Sequence, residues 1–328
     1  MAVASIETNT DPPARVRIAL ELWGSDLAAV AATCRLAERE GLDAVYYGES
    51  PGPLNLDCWT TLAHVAALTT TIRLGPVIAN VLPAYRSTLL LAKQAATVAV
   101  ASGGRLDFRT GVGAAAPYGR RWWNPHAIDY GPYADRLAHL EAFLGAATAL
   151  WAGPDGSLGA LGLAHPPIPV TIAATGPRGI EVAHRWADWW ELSHQTAQSM
   201  TEMRTDHRCD ADRCGLRLSL EVDGFVAPTA GDHGRLLHRV RADRVGEDVD
   251  GLVERALSGT PTTVAGQIAR LGAAGVDQLV VALHDPHDPA AVTALAEAVR
   301  LALDGSEAAP TSLDGAETAR RGLGRTDR

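Results

Sequence analysis

Lysine is almost missing from this chain. Lys93 is the only one among 29 basic residues in 328, so a mechanism built on a lysine Schiff base would have to run through that one side chain. It falls inside a helical stretch, away from the strand ends where barrel chemistry sits. Cysteine is sparse as well. Cys34, Cys58, Cys209 and Cys214 are scattered, and no second pair or histidine cluster stands near Cys209 and Cys214 to complete a zinc site; reduced thiols are expected. No apolar run reaches the ~18 residues of a membrane span. The opening stretch MAVASIETNTDPPARVR has neither the basic nor the apolar region of a secretory signal. A basic surplus is missing too: the net charge is −9, which argues against nucleic acid or anionic lipid as a partner. Together these absences predict a cytoplasmic protein working on small molecules.

What the chain does have is apolar material, 47% of its residues, arranged as short β-like runs alternating with amphipathic stretches. Strands are predicted at 15–24, 42–50, 72–80, 105–113, 168–175, 189–194, 216–226 and 276–284, with helices at 26–41, 57–71, 86–102, around Leu137–Trp151, 179–186, 235–257, 262–275 and 289–303. Residues 200–214 are polar and poorly phased, readable as surface helix or loop, and 154–167 is a Gly- and Pro-rich excursion. Eight β/α units without a linker fit a (β/α)8 TIM barrel with insertions in its βα loops, spanning 15–304, with loose tails at 1–14 and 305–328. An open doubly wound sheet is the alternative.

The stretch SGGRLDFRTGVGAAAP contains Gly111-Val112-Gly113 followed by Ala116, literally the G-x-G-x-x-A of a dinucleotide-binding turn. That fingerprint belongs to a first βα unit and needs a helix immediately after it. This strand is the fourth, and Pro117, Gly119, Pro125, Gly131 and Pro132 argue against an immediate helix. Gly111 and Gly113 read instead as a side-chain-free strand end that leaves room for a flat ligand.

The segments GLDAVYYGES, DCWTTLAHVAALTTTIRLGPVIAN, LLLAKQAATVAVASGGRLDFRTGVG and GTPTTVAGQIARLGAAGVDQLVV resemble, in order, the bacterial luciferase-like monooxygenase family. That family comprises flavin-dependent monooxygenases and related oxidoreductases that use the deazaflavin F420. The resemblance implies a TIM barrel with reduced FMN or F420 at its C-terminal face, usually in a homodimer, and reduced flavin supplied by a separate reductase. It implies a non-proline cis peptide behind the flavin at Val77–Ile78, and a phosphate cradle in AATGPRG made by Thr175, Gly176, Pro177 and Arg178. As plain sequence, the first segment reads as a buried strand and the second as a βα turn whose threonine caps a helix. Relatives often carry an acid followed by histidine at the end of the second strand. Here Ser50 follows Glu49, which leaves Glu49 as an acid/base candidate or as a carboxylate tying loops together.

Asn80, His194, Gln195 and His284 stand at predicted strand ends, which a barrel gathers on one rim. Glu49, Asn80 and His194 are the catalytic candidates. Tyr118, Arg120, Arg121, Trp122, Trp123 and His126 follow the fourth strand on a long loop that suits a lid over a flat cofactor or a dimer contact, and His284 either joins the substrate end or caps the last helix. The leading expectation is a flavin-dependent oxidoreductase, oxygenating a small organic substrate with reduced FMN and O2. The alternatives are F420-dependent hydride transfer and a barrel that binds flavin without turnover.

Overall fold

A computed structural model of the chain describes residues 15–152, 165–206 and 216–307. The tail at 1–14, most of the 154–167 excursion, Cys209 and Cys214, and the chain beyond 307 lie outside the described residues.

The strands are β1 (Arg17–Leu22), β2 (Ala44–Gly48), β3 (Arg73–Val77), β4 (Phe108–Gly111), β5 (Val170–Ala173), β6 (Trp189–Ser193), β7 (Arg217–Val226), β8 (Leu257–Gly259) and β9 (Gln278–Leu283). They pair in parallel in the order β3-β2-β1-β9-β7-β6-β5-β4, and β8 sits beside the end of β7. Bridges Leu74–Leu106 and Ala79–Thr110 join the two ends of that path. The Leu74 and Ala79 amides donate there to the Arg105 and Arg109 carbonyls at 3.0 and 2.7 Å. The ring is thus an eight-stranded parallel barrel, as the spacing of the β-like runs implies, with β8 as an added short strand.

Helices alternate with the strands: α1 (Leu27–Arg39), α2 (Cys58–Leu68), α3 (Thr88–Ala101), α4 (Ala116–Trp123), α5 (Tyr133–Trp151), α6 (Pro177–Trp186), α7 (Ala197–Asp206), α8 (Ala230–Asp243), α9 (Val249–Arg255), α10 (Pro261–Ala273) and α11 (Pro289–Glu307). Asp26, Asp57 and Ser87 cap α1, α2 and α3 by accepting first-turn amides. The strand period of two divides the interior. Ile18, Leu20 and Leu22 of β1 and Leu218, Leu220 and Val222 of β7 join the large core beneath the helices, whereas Ala19, Tyr46, Val77 and Val280 form a small separate cluster.

The rest of the barrel interior is polar and built around charge pairs. Arg109, fully buried, is ion-paired with the fully buried Glu191 and lies 4.0 Å over the Tyr46 ring. Ser219 donates to Glu191 at 2.8 Å, and the Tyr46 hydroxyl donates to Asp107 at 2.8 Å, where Arg73 also lands. A guanidinium in such a place persists only because each charge meets an opposite one.

Two expectations are corrected. The predicted helix over 235–257 is two helices, α8 and α9, and Leu257 begins β8 instead. A helix also follows β4 almost at once, as α4. Pro117 falls in its first turn, where the missing N–H has no helical acceptor to lose. Gly119 is tolerated because the Tyr130 ring occupies the space a Cβ would take, 2.0 Å from it.

Candidate active site

The loops after the strands surround a cavity of about 830 Å³ at the C-terminal end of the barrel. One wall is Val77, Ile78, Ala79 and Asn80, and the Val77–Ile78 peptide bond is cis. Beside it stand Gly111, Gly113 and Ala173, with Thr175 and Gly176 beyond. The two glycines line the cavity but are not vacancies. A Cβ on Gly111 would sit 2.8 Å from the Ala173 carbonyl and 3.2 Å from Ile78, and one on Gly113, at φ +81°, 2.3 Å from the Tyr130 hydroxyl. The space expected for a flat ligand at these two positions is taken by the protein's own atoms, so the glycines allow close packing of the wall.

The turn after β5 ends in α6, whose N-cap is Gly176 with no side-chain cap. Thr175 therefore does not cap the helix, and the first-turn amides are left for another acceptor. Thr175 and Gly176 line the cavity; Pro177 and Arg178 open the helix outside that lining, with Arg178 exposed. The Tyr133 hydroxyl closes the turn from above, 3.7 Å from where a Gly176 Cβ would stand.

Glu49 is buried and doubly held. Its Oε2 accepts the Asn80 backbone amide at 2.5 Å, and its Oε1 meets Arg86 at 2.7 Å. Burial pushes the Glu49 carboxyl up to about 7, opposed by Arg86 and the Asn80 amide. In this geometry it ties the β2–α2 loop to the β3–α3 loop. The Asn80 side chain accepts from the Leu82 amide at 2.8 Å.

The lid-like segment is α4 with the turn behind it. Tyr118, Gly119, Trp122 and Trp123 line the cavity, and Trp123 packs edge-on against Tyr85 at 5.0 Å. Arg136 reaches under this segment and donates to the carbonyls of Val112, Gly131 and Ala114 at 2.9, 2.8 and 3.1 Å. Arg120 and Arg121 point away from the lining and are exposed.

His194 and His284 do not join the group. His194, at φ +54°, is not part of the cavity lining and is held by Asp223 at 3.2 Å, a hydrogen bond that raises its pKa. His284 meets Asp243 at 3.3 Å and lines a separate cavity of about 690 Å³ between β7, α8 and α11. A strand end fixes only where the backbone arrives; alternation and the following turn decide which way the side chain faces.

Three acids that sequence reasoning missed do line the main cavity: Glu21 of β1, Glu191 of β6 and Glu221 of β7, with Trp23 and Ser193 beside them. Trp23 donates from its indole to Glu21 Oε1 at 2.5 Å, while Glu21 Oε2 and Glu191 Oε1 are buried without a hydrogen-bond partner. Ser193 donates to Glu221 at 3.1 Å. Burial and the nearby Glu221 raise Glu21 to about 8, and burial followed by Glu191 raises Glu221.

The closed barrel, the cavity over its strand ends and an uncapped helix N-terminus at one side define a (β/α)8 protein built to take a ligand at the usual catalytic face of that fold. The chain belongs to the luciferase-like monooxygenase family, whose family model matches residues 7–230. An uncharacterized protein of Mycobacterium tuberculosis is 32% identical over 148 residues, 41% of this chain and 49% of that protein. The chain thus spans about half the length of the curated relatives it matches. Among solved structures, the EDTA monooxygenase of Chelativorans sp. BNC1 is similar with a TM-score of 0.72 at 15% identity, covering 89% of this chain and 94% of that one. An F420-dependent secondary alcohol dehydrogenase in complex with an F420–acetone adduct is similar at 0.70 and 13%, covering 88% and 99%. A riboflavin lyase with modified FMN and riboflavin follows at 0.69 and 15%, covering 92% and 94%. At such identities the likeness to these structures is one of fold. No described helix is long and apolar enough to cross a membrane, and among the described residues no group of His, Cys, Asp or Glu is arranged to hold a metal.

Proposed function

We propose that this protein is a flavin-dependent monooxygenase that uses reduced FMN and O2 to oxidise a small organic substrate. The observation that carries the reading is the fit of one cavity to a molecule with a flat apolar body and an anionic end. Val77, Ile78 and Ala173 supply apolar wall, and the free first-turn amides of α6 beside Thr175 and Gly176 supply an anion site about one helix turn deep. When bound, reduced FMN supplies the electrons that activate oxygen, which is the hard part of the chemistry.

The chain's own residues do the rest. Gly176 and the α6 amides hold the phosphate, with Arg178 adding charge from outside. Val77 and Ile78 support the ring. Tyr118 and Trp122, partly exposed at the mouth, exclude water once the site is filled. Glu49 and Arg86 keep the two loops carrying this wall in register and do not themselves face a reacting atom. Glu21, raised to about 8, holds a proton in the cavity wall, and Glu221, raised as well, stands beside it.

A second reading, hydride transfer with F420, is favoured by Arg120, Arg121 and Arg178, which are exposed and make no ion pair among the described residues; three free guanidinium groups suit an oligoglutamate tail. Anaerobic titration with reduced FMN and with reduced F420 separates the two. Tight binding of reduced FMN followed by O2 uptake is expected; tight binding of F420 alone replaces the first reading with the second. Cofactor affinity without turnover across a substrate panel would leave a binding protein. The same proposal has the enzyme act in the cytoplasm as a homodimer supplied by a separate flavin reductase, with Leu89, Leu90 and Val100, exposed on α3 around Lys93 and Thr97, meeting the second copy.

A further inference from the structure

The lining of the main cavity is electrically lopsided. Four carboxylates, Glu21, Glu49, Glu191 and Glu221, face it against one guanidinium, Arg136. Arg136 is spent on three backbone carbonyls, Glu49 is neutralised by Arg86, and Glu191 by Arg109 with a hydrogen bond from Ser219. Glu21 and Glu221 make no ion pair among the described residues; Arg109, and His194 for Glu221, favour their charged forms but do not offset burial. Glu21 is only 7% exposed, its Oε1 takes the Trp23 indole N–H, and its Oε2 is buried in the cavity wall with no donor at all. Glu191 Oε1 is a second buried, unpartnered acceptor in the same wall. Acceptors left in this way cost free energy until a donor reaches them.

We propose that Glu21, Glu221 and Trp23 form a subsite for an organic ammonium group, so that the substrate of this enzyme is an amine bound as its cation. A primary or secondary ammonium brings two or three N–H donors to acceptors that lack them, a positive charge to two acids that make no ion pair, and a CH2 group to the indole face beside Glu21. The cavity then has two poles: the α6 amides for the anionic end of a cofactor, and the acids of β1, β6 and β7 for a cationic substrate. The inference rests on reading this cavity as the active site, though not on which cofactor fills it.

Without a ligand the two acids solve their problem with a proton. Glu21 is raised to about 8 by burial and by Glu221, and Glu221 is raised as well. The charged groups around them are Arg109 from β4, Glu191 from β6 and His194 after β6, while β2 contributes the Tyr46 phenol, turned to Asp107, and β9 the neutral Gln278. An ammonium ion entering the subsite displaces one proton: the acid's O–H bond breaks, the proton passes to water or buffer, and no covalent bond of the ligand changes. Its affinity therefore rises with pH, up to about tenfold per unit while the pair remains protonated and the amine remains charged, and levels off above about pH 8.

The test is calorimetry on the full chain with n-butylammonium, and with n-butanol as the neutral probe, in two buffers of different ionisation enthalpy. The expected result is saturable binding of the ammonium alone, with close to one proton released at pH 7 and an affinity that climbs between pH 6 and 8. Glu21→Gln and Glu221→Gln each weaken it at least tenfold while circular dichroism stays unchanged. Equal binding of the alcohol, or ammonium binding with no proton release and no pH dependence, overturns the proposal. Because the wild-type pH profile is read without any variant, a variant that fails to fold does not protect it. Ammonium binding in a protein that takes neither FMN nor F420 would leave the subsite standing and remove the proposed function instead.

Discussion

Glu21→Gln should make this protein more stable at neutral pH, although it removes a buried, hydrogen-bonded side chain. Glu21 has an ordinary value of 4.5 and is raised to about 8 in the fold, burial being the largest cause and Glu221 the next. A carboxyl whose native pKa is raised favours the protonated form when folded. It therefore costs nothing below pH 4.5, costs more as pH rises through the window from 4.5 to about 8, and costs a constant amount above it. At about 1.4 kcal/mol per unit, the cost at pH 7 is about 3 kcal/mol. Glutamine matches the shape of the protonated acid and keeps an Oε1 to accept the Trp23 indole at its present 2.5 Å, so the variant escapes the cost. Urea denaturation at pH 4.5 and at pH 7 measures it: equal stabilities for wild type and variant at pH 4.5, and a gain of about 2–3 kcal/mol for the variant at pH 7. A variant less stable than wild type at both values would refute the claim that the group is buried as an acid without enough compensating charge.

Other outcomes follow from the same geometry. Arg109→Met leaves Glu191 charged and buried without its partner and should cost about 3–5 kcal/mol in urea denaturation. Gly119→Ala puts a Cβ 2.0 Å from the Tyr130 ring; overpacking of about 1–3 kcal/mol is expected, with weaker FMN binding as α4 shifts. His194→Ala removes a side chain that faces Asp223 and not the cavity, so cofactor affinity in an anaerobic titration should change less than about twofold, or under about 0.5 kcal/mol. Leu90→Glu places a negative charge among the exposed apolar side chains of α3 and should shift light scattering toward the mass of one chain.

The barrel was legible because its eight apolar runs are short, evenly spaced and separated by amphipathic stretches, and because Asp26, Asp57 and Ser87 mark helix starts by their chemistry. The cis bond at Val77–Ile78 and the turn at Thr175–Gly176 came from the family resemblance, not from their residue types, which suit any buried strand and βα turn. The histidines misled because a polar residue at a strand end looks alike whether it enters the cavity lining or is held beside it, as His194 is by Asp223 and His284 by Asp243. A signal for the missed acids was present. Glu21 in RIALEL, Glu191 in WWELS and Glu221 in RLSLEVDGFV each interrupt an apolar strand, and alternation puts them opposite Leu20, Leu192 and Leu220, which join the outer core. An acid on that face has only the inside of the barrel to point into. The helix at α4 was hidden because Gly119 and Pro117 argue against one locally, and only the distant Tyr130 explains the glycine.

The most direct measurement is a crystal structure of the protein equilibrated anaerobically with reduced FMN. The account expects the phosphate within hydrogen-bond distance of the first amides of α6, next to Thr175 and Gly176, and the ring against Val77 and Ile78. A flavin bound elsewhere on the chain, or a cavity that stays empty under saturating FMN and under saturating F420, would contradict it.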